Sequence, residues 1–321
     1  MPSVSDKVRG FALTGWGTAL PEKVVTNDDL AATMDTSDQW IRERTGIARR
    51  HIGGSTASLS VDSARQAIAM SGIDPSKIDA VVLATTTPDR TVPATSATVQ
   101  NELGLRCGAF DVNAACSGFV YGLSVAGGLI AIGARAVLLI GTDTLSRIVD
   151  WTDRNTAILF ADGSGAAVLE AVDGRGDLLA WDIDADGSAE PLLYCEVGSH
   201  IHMDGKEVFR RAVRIMVDSA EKSLQRAGLG IDDVALVVPH QANIRIIEAA
   251  CDRLGCPMDK TAVNIHETGN TSSASIPLAL FDAADQGRLV KGDLVLMVGF
   301  GAGMTADSAI MRWNGKGLSA Q

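Results

Sequence analysis

The chain has 321 residues and a formal net charge of −11. Its residues are 46% hydrophobic and only 21% charged, with 33 glycines. This composition excludes a disordered chain and suits a close-packed α/β protein, while the acidic balance disfavours non-specific nucleic-acid binding. Five cysteines, at 107, 116, 195, 251 and 256, make no C-x-x-C element, and their odd number argues against a secreted disulfide framework, so a cytoplasmic setting is expected.

The amino terminus carries Lys7 and Arg9 without a long apolar run, and no signal peptide is expected. Gly15-x-Gly17 follows a strand-like start but lacks the rest of a dinucleotide fingerprint. Helical patterns over Leu59–Met70, Ser96–Leu103, Ser117–Ile132, Lys206–Ala227, Ile244–Leu254 and Ser273–Ala284 alternate with short apolar strands. Gly118–Gly133 is glycine-rich and is followed at once by Arg135, so it reads as a buried helix and no membrane insertion is expected. Trp181–Asp204 breaks the alternation and reads as an insertion or surface loop. Its His200-x-His202 pair lacks accompanying ligands, and no metal is expected.

A faint internal repeat is more telling. Gly72-Ile73-Asp74 leads to the strand Ala80–Leu83, as Gly228–Asp233 leads to Val234–Val238. Phe110–Asn113 matches Thr261–Asn264, and Val137–Gly141 matches Val295–Gly299. The repeat predicts two similar halves, residues 1–174 and 175–321, in a layered α/β/α/β/α body with both sheets covered. Ligands then belong at the carboxyl ends of strands, where Cys116, His240, Asn270 and Phe300–Gly303 fall.

Cys116 lies among small residues between a strand and a helix, where unpaired N–H groups would favour a thiolate. A buried structural thiol is the alternative, and the local sequence leaves both open. A thiol, an imidazole and a carboxamide at three strand ends, Cys116 with His240 and Asn270, make a covalent acyl-transfer site possible.

Those three residues and their flanks, Asp111–Phe119, Pro239–Asn243 and Gly269–Ser272, resemble the β-ketoacyl-[acyl-carrier-protein] synthase III family, as do Thr36–Ile41 and Arg44–Ile47. The resemblance extends over almost the whole chain. It implies a thiolase-like duplicated fold, a homodimer, no cofactor, and acyl-CoA and malonyl-acyl-carrier protein as substrates. Cys116 would carry the acyl group, and His240 and Asn270 would stabilise the malonyl-derived enolate. Backbone N–H groups of Cys116 and Ala302 would bind the oxyanion, although alanine stands at 302 where the family commonly has glycine. Trp40 and Arg154 would stack on the coenzyme A adenine, with Arg44 also toward the coenzyme and Asn243 holding water or pantetheine. The family's basic residue near the coenzyme phosphates is Ala48 here, leaving that charge to Arg49, Arg50 or neither. Carrier docking would fall to Arg210, Arg245 and Arg253, beside a stripe of Lys206, Arg210 and Arg214, although Asp252 weakens the patch. Val92 would gate the acyl pocket. Two other readings remain: a related condensing enzyme making a quinolone, polyketide or long-chain ketone, and a non-catalytic acyl-thioester-binding protein. A biosynthetic thiolase would need a second cysteine near Phe300–Met304, and none is there.

Overall fold

The computed structural model describes residues 8–315; the stretch through Lys7, where no signal peptide is expected, lies outside the described residues. One sheet is formed by β1 (Arg9–Ala19), β2 (Ala80–Ala84), β3 (Gly108–Val112), β4 (Ala136–Thr144) and β5 (Asp162–Asp173), in the order β1-β5-β4-β2-β3. The other is formed by β6 (Leu178–Ala185), β7 (Leu236–Pro239), β8 (Leu294–Gly301) and β9 (Thr305–Arg312), in the order β7-β8-β9-β6. Every residue of β2, β4 and β7 is buried, which requires cover on both faces.

The principal helices are α1 (Asp38–Thr45), α2 (Thr56–Ser71), α3 (Thr95–Glu102), α4 (Gly118–Ala131), α5 (Gly205–Ala227), α6 (Ile244–Leu254) and α7 (Ser275–Asp285). α4 and α7 form the central layer: Phe119, Leu123, Leu280 and Phe281 share one core with Val82 and Leu139 of the first sheet and Val238 and Met297 of the second. The outer face of the first sheet is covered by α2 and α3, that of the second by α5 and α6. These are the five expected layers.

The repeat is visible in strand direction. β2 runs parallel to β3 and β4, after which β4, β5 and β1 alternate antiparallel. Likewise β7 runs parallel to β8, and β8, β9 and β6 alternate antiparallel. The counterpart of β3 is reduced to one parallel bridge, Val237 to Thr261.

Two sequence expectations are revised, and the incomplete glycine motif finds its role. Gly15 and Gly17 serve packing, because a Cβ would lie 2.3 Å from the Ala67 carbonyl oxygen and 2.2 Å from that of Ser63, both on α2. Trp181–Asp204 is no irregular insertion. Its first residues belong to β6, whose acidic residues had masked a strand, and Leu193–Cys195 pairs with Ile201–Met203 as a hairpin. Finally, Ser117 and Ser273 fall in 3-10 turns just before α4 and α7.

Candidate active site

β3 delivers the chain to a tight turn before α4. The Asn113 side chain accepts the Ala115 N–H at 3.2 Å, and Ala115 adopts φ +48°, a left-handed conformation uncommon for alanine. Cys116 follows in the 3-10 turn Ala115–Ser117, half-buried. The end of β8 passes directly beside it: a Cβ on Gly301 would lie 2.8 Å from the Cys116 nitrogen, so only glycine leaves this N–H approachable. Ala302 comes next, partly exposed in the turn between β8 and β9.

His240 follows β7 and is 1% exposed. Its Nδ1 lies 2.6 Å from Ser275 Oγ, at the start of α7. That oxygen also accepts the Gln241 N–H at 3.3 Å, and Nδ1 is the one acceptor found for the serine proton among the described residues. The pattern assigns the Nε2–H tautomer, which makes the imidazole a donor toward the pocket. Burial lowers the His240 pKa to about 3, so the ring is neutral at physiological pH.

Asn270 is held by both backbone and side chain. Its N–H donates to Leu159 O at 2.9 Å and its carbonyl accepts the Ala161 N–H at 2.8 Å. Its Oδ1 accepts the Ser272 N–H at 2.9 Å, which leaves Nδ2 as the free donor. Ser272 has φ +52°, so both turns of the site contain a non-glycine residue in the left-handed region.

Of the two settings the sequence leaves open for Cys116, the surroundings oppose the thiolate. Burial pushes Cys116 up to about 12; the Ser272 hydroxyl opposes the rise, while Asp143 and Asp307 add to it. Exclusion from water outweighs the short helical turn.

Cys116, His240 and Asn270 line one cavity of about 130 Å³, walled by Phe160, Val208, Phe209, Ile246 and Phe300. Phe209 and Asn243 also line a cleft of about 830 Å³ bordered by Trp40, Arg44, Lys206 and Arg245. The thiol thus lies at the narrow inner end of a passage with a basic, aromatic mouth. Arg44 and Arg154 both stack on Trp40, with guanidinium carbons 4.2 and 4.7 Å from the ring centre.

The remaining expected residues divide. Asn243 borders both cavities but caps α6: its Oδ1 accepts the Arg245 N–H and its Nδ2 donates to Arg44 O, each at 2.9 Å. Arg50 is fully buried against Val25 O, Asn27 and Ile158 O, and Arg49 pairs with Glu267 at 3.2 Å, so neither borders the mouth. Lys206 does, a place the sequence had not assigned it. On α5, Lys206, Arg210 and Arg214 are exposed as the helical spacing required, with Arg210 paired to Glu207 at 2.6 Å. Arg245 lies over the Phe209 ring at 5.8 Å, and Arg253 is exposed near the end of α6. Val92 is 80% exposed and does not line the cavity of its own chain. Sequence reasoning also missed Ser275, whose helix-start position gives no hint of an imidazole 35 residues away.

Among the described residues no group of His, Cys, Asp or Glu is arranged to hold a metal ion, and no helix is long and apolar enough to cross a membrane.

A duplicated five-layer body with a thiol, an imidazole and a carboxamide meeting at strand ends defines a thiolase-like protein. Residues 110–187 match the family model described as 3-oxoacyl-[acyl-carrier-protein] synthase III, and residues 224–313 match its C-terminal model. A β-ketoacyl-[acyl-carrier-protein] synthase III of Roseiflexus castenholzii is 48% identical, over 94% of this chain and 98% of the relative. The crystal structure of 3-oxoacyl-[acyl-carrier-protein] synthase III from Aquifex aeolicus is 42% identical with a TM-score of 0.93, covering 95% of this chain and all of that one. A priming β-ketosynthase of the R1128 polyketide pathway is 34% identical with a TM-score of 0.91, covering 97% of both chains. The chain belongs to the β-ketoacyl-[acyl-carrier-protein] synthase III family.

Proposed function

We propose that this protein condenses an acyl-CoA primer with malonyl-acyl-carrier protein to give 3-oxoacyl-acyl-carrier protein, carbon dioxide and coenzyme A, through an acyl-Cys116 intermediate. The observation that carries this reading is the shared cavity of Cys116, His240 and Asn270 at the inner end of a passage with a Trp40–Arg44–Arg154 stack near its mouth. In the first half-reaction the Cys116 sulfur attacks the thioester carbonyl and coenzyme A leaves with the thiol proton. In the second, malonyl thioester loses carbon dioxide and charge develops on its carbonyl oxygen. His240 Nε2–H and Asn270 Nδ2–H are the donors suited to that oxygen. The carbanion then attacks acyl-Cys116, with the N–H groups of Cys116 and Ala302 taking the oxyanion.

Arg210, Arg245 and Arg253 supply a positive face for the acidic carrier. Residues 1–174 and 175–321 are read as the two halves, a division supported by the position of the two sheets. A homodimer is supported by the free edge of β3: Phe110 is 36% exposed there, and Asp111 caps the Val92 side of α3 by accepting the Thr95 and Ser96 N–H groups at 2.9 Å. Val92 would then reach the pocket of a second copy, not its own. The free cysteines suit a cytoplasmic location.

Intact-mass measurement after incubation with short acyl-CoA is the test. One acyl group should appear on the enzyme, disappear in Cys116→Ala, and discharge when malonyl-acyl-carrier protein is added with release of the 3-oxo product. An adduct of equal stoichiometry in Cys116→Ala would reject the assignment.

A further inference from the structure

Outside the active site the structure holds a second thiol constellation. α6 ends in a Schellman motif: Gly255, at φ +69°, donates its N–H to Asp252 O at 3.1 Å, and Cys256 donates its N–H to Cys251 O at 2.9 Å. In this motif the side chains three residues before the cap and just beyond the left-handed glycine come into contact, and the contact is usually apolar. The end of α5 repeats the motif with leucines, Leu229 donating its N–H to Leu224 O at 3.0 Å around Gly228. At α6 the same two places hold cysteines. Both sulfurs lie on one hydroxyl, Cys251 Sγ at 3.4 Å and Cys256 Sγ at 3.8 Å from Thr261 Oγ1. Both residues are buried, at 2% and 6% exposure.

We propose that Cys251 and Cys256 are a redox-active dithiol that closes to an intramolecular disulfide on reaction with a hydroperoxide. The backbone ring between the two residues supplies the short separation a disulfide needs. Cys256 is the more exposed of the two, and the neighbouring Cys251 thiol, Thr261 hydroxyl and Lys260 favour its thiolate against burial and Asp259, so Cys256 is the first nucleophile. Its thiolate attacks the terminal peroxide oxygen, the O–O bond breaks, and the alcohol or water leaves with a proton. Cys256 is oxidised by two electrons to the sulfenic acid. The Cys251 sulfur then attacks that sulfur, the S–S bond forms, the S–O bond breaks, and hydroxide departs with the Cys251 proton as water. Two thiols and one hydroperoxide thus give a disulfide, an alcohol or water, and a further water. The site is independent of acyl transfer at Cys116.

Trypsin provides a direct readout, because Arg253 lies between the two cysteines. The full-length protein is treated with hydrogen peroxide, alkylated and digested without reductant. The peptides Ile246–Arg253 and Leu254–Lys260 should appear as one cross-linked species, 2 Da below their summed mass, that separates on reduction. Cys256→Ser, checked for folding by circular dichroism, should lose the cross-link. Cys251→Ser should instead trap an oxidised or capped Cys256. Full alkylation of Cys251 and Cys256 after Cys116 and Cys195 have been oxidised would overturn the proposal. Irreversible oxidation of Cys256 in the unaltered protein with no cross-link would do so too.

Discussion

His240 is buried, neutral and oriented by Ser275, and these properties bear on a pH profile. With its pKa near 3, the ring does not titrate between pH 5 and 8. Replacing one donor to a developing oxyanion costs on the order of 3 kcal/mol, about a hundredfold in rate. His240→Ala should therefore slow malonyl decarboxylation by about that factor, with the wild-type to mutant ratio constant from pH 5 to 8. A ratio that collapses through pH 6–7 would show instead that the imidazole changes charge there. Acylation of Cys116 should fall much less in this variant. Asp307 is the other residue with a readable pH signature. It is fully buried, neither carboxyl oxygen has a hydrogen-bond partner among the described residues, and burial raises its pKa to about 7. An unfolded aspartate titrates near ~3.9, so the folded state holds a proton that the unfolded state has lost between about pH 4 and 7. Stability from this group is present below pH 4 and is lost as pH rises through 7. Asp307→Asn, which cannot ionise, should gain stability over wild type at pH 8, by up to about 4 kcal/mol, with the gain shrinking toward pH 4. Thermal melts at both values decide it; an equal gain at each would remove ionisation as the cause.

At the scale of elements, much was legible because apolar periodicity and turn signals agreed. Ile244–Leu254 was read with its observed bounds, and the four-residue spacing of Lys206, Arg210 and Arg214 places them on the exposed side of α5, while Val213, Met216 and Ala220 are buried. What failed was non-local. β6 was obscured because Asp182 is a buried strand residue satisfied by Ser219 and Arg226 from α5, partners that no local window contains. Cys116, His240 and Asn270 were recognisable, but the pKa of the thiol depends on walls contributed by distant elements. The Schellman cysteines were visible only as two of five unpaired residues. Two predictions belong here. Gly301→Ala would place a methyl group against the Cys116 nitrogen, so acylation should fall at least tenfold while circular dichroism stays native; unchanged acylation would separate the end of β8 from the oxyanion site. Arg245→Glu at the start of α6 should weaken use of malonyl-acyl-carrier protein at low salt several-fold more than acylation by acyl-CoA. Equal losses in the two half-reactions would point to damage of the shared passage.

For the molecule as a whole, the unpaired side of β3 is the feature to test. If the proposed homodimer forms through this edge, a charge set into its apolar contact is costly, so Phe110→Asp should lower the sedimenting mass toward that of a monomer, and an unchanged profile would reject this edge as the interface. The central layer has a different consequence. Phe119 and Leu123 of α4 share a core with Leu280 and Phe281 of α7, while the nucleophile precedes α4 and the carboxamide precedes α7. Neither half owns the chemistry. A slippage of about an ångström between these two helices would separate Cys116 from Asn270 while leaving both sheets and their hydrogen bonds intact. Catalysis is therefore a gauge of registry: on heating, turnover should disappear before the far-ultraviolet signal of the sheets and helices does, and coincident loss of the two would show that the shared core holds the halves aligned until the whole fold goes.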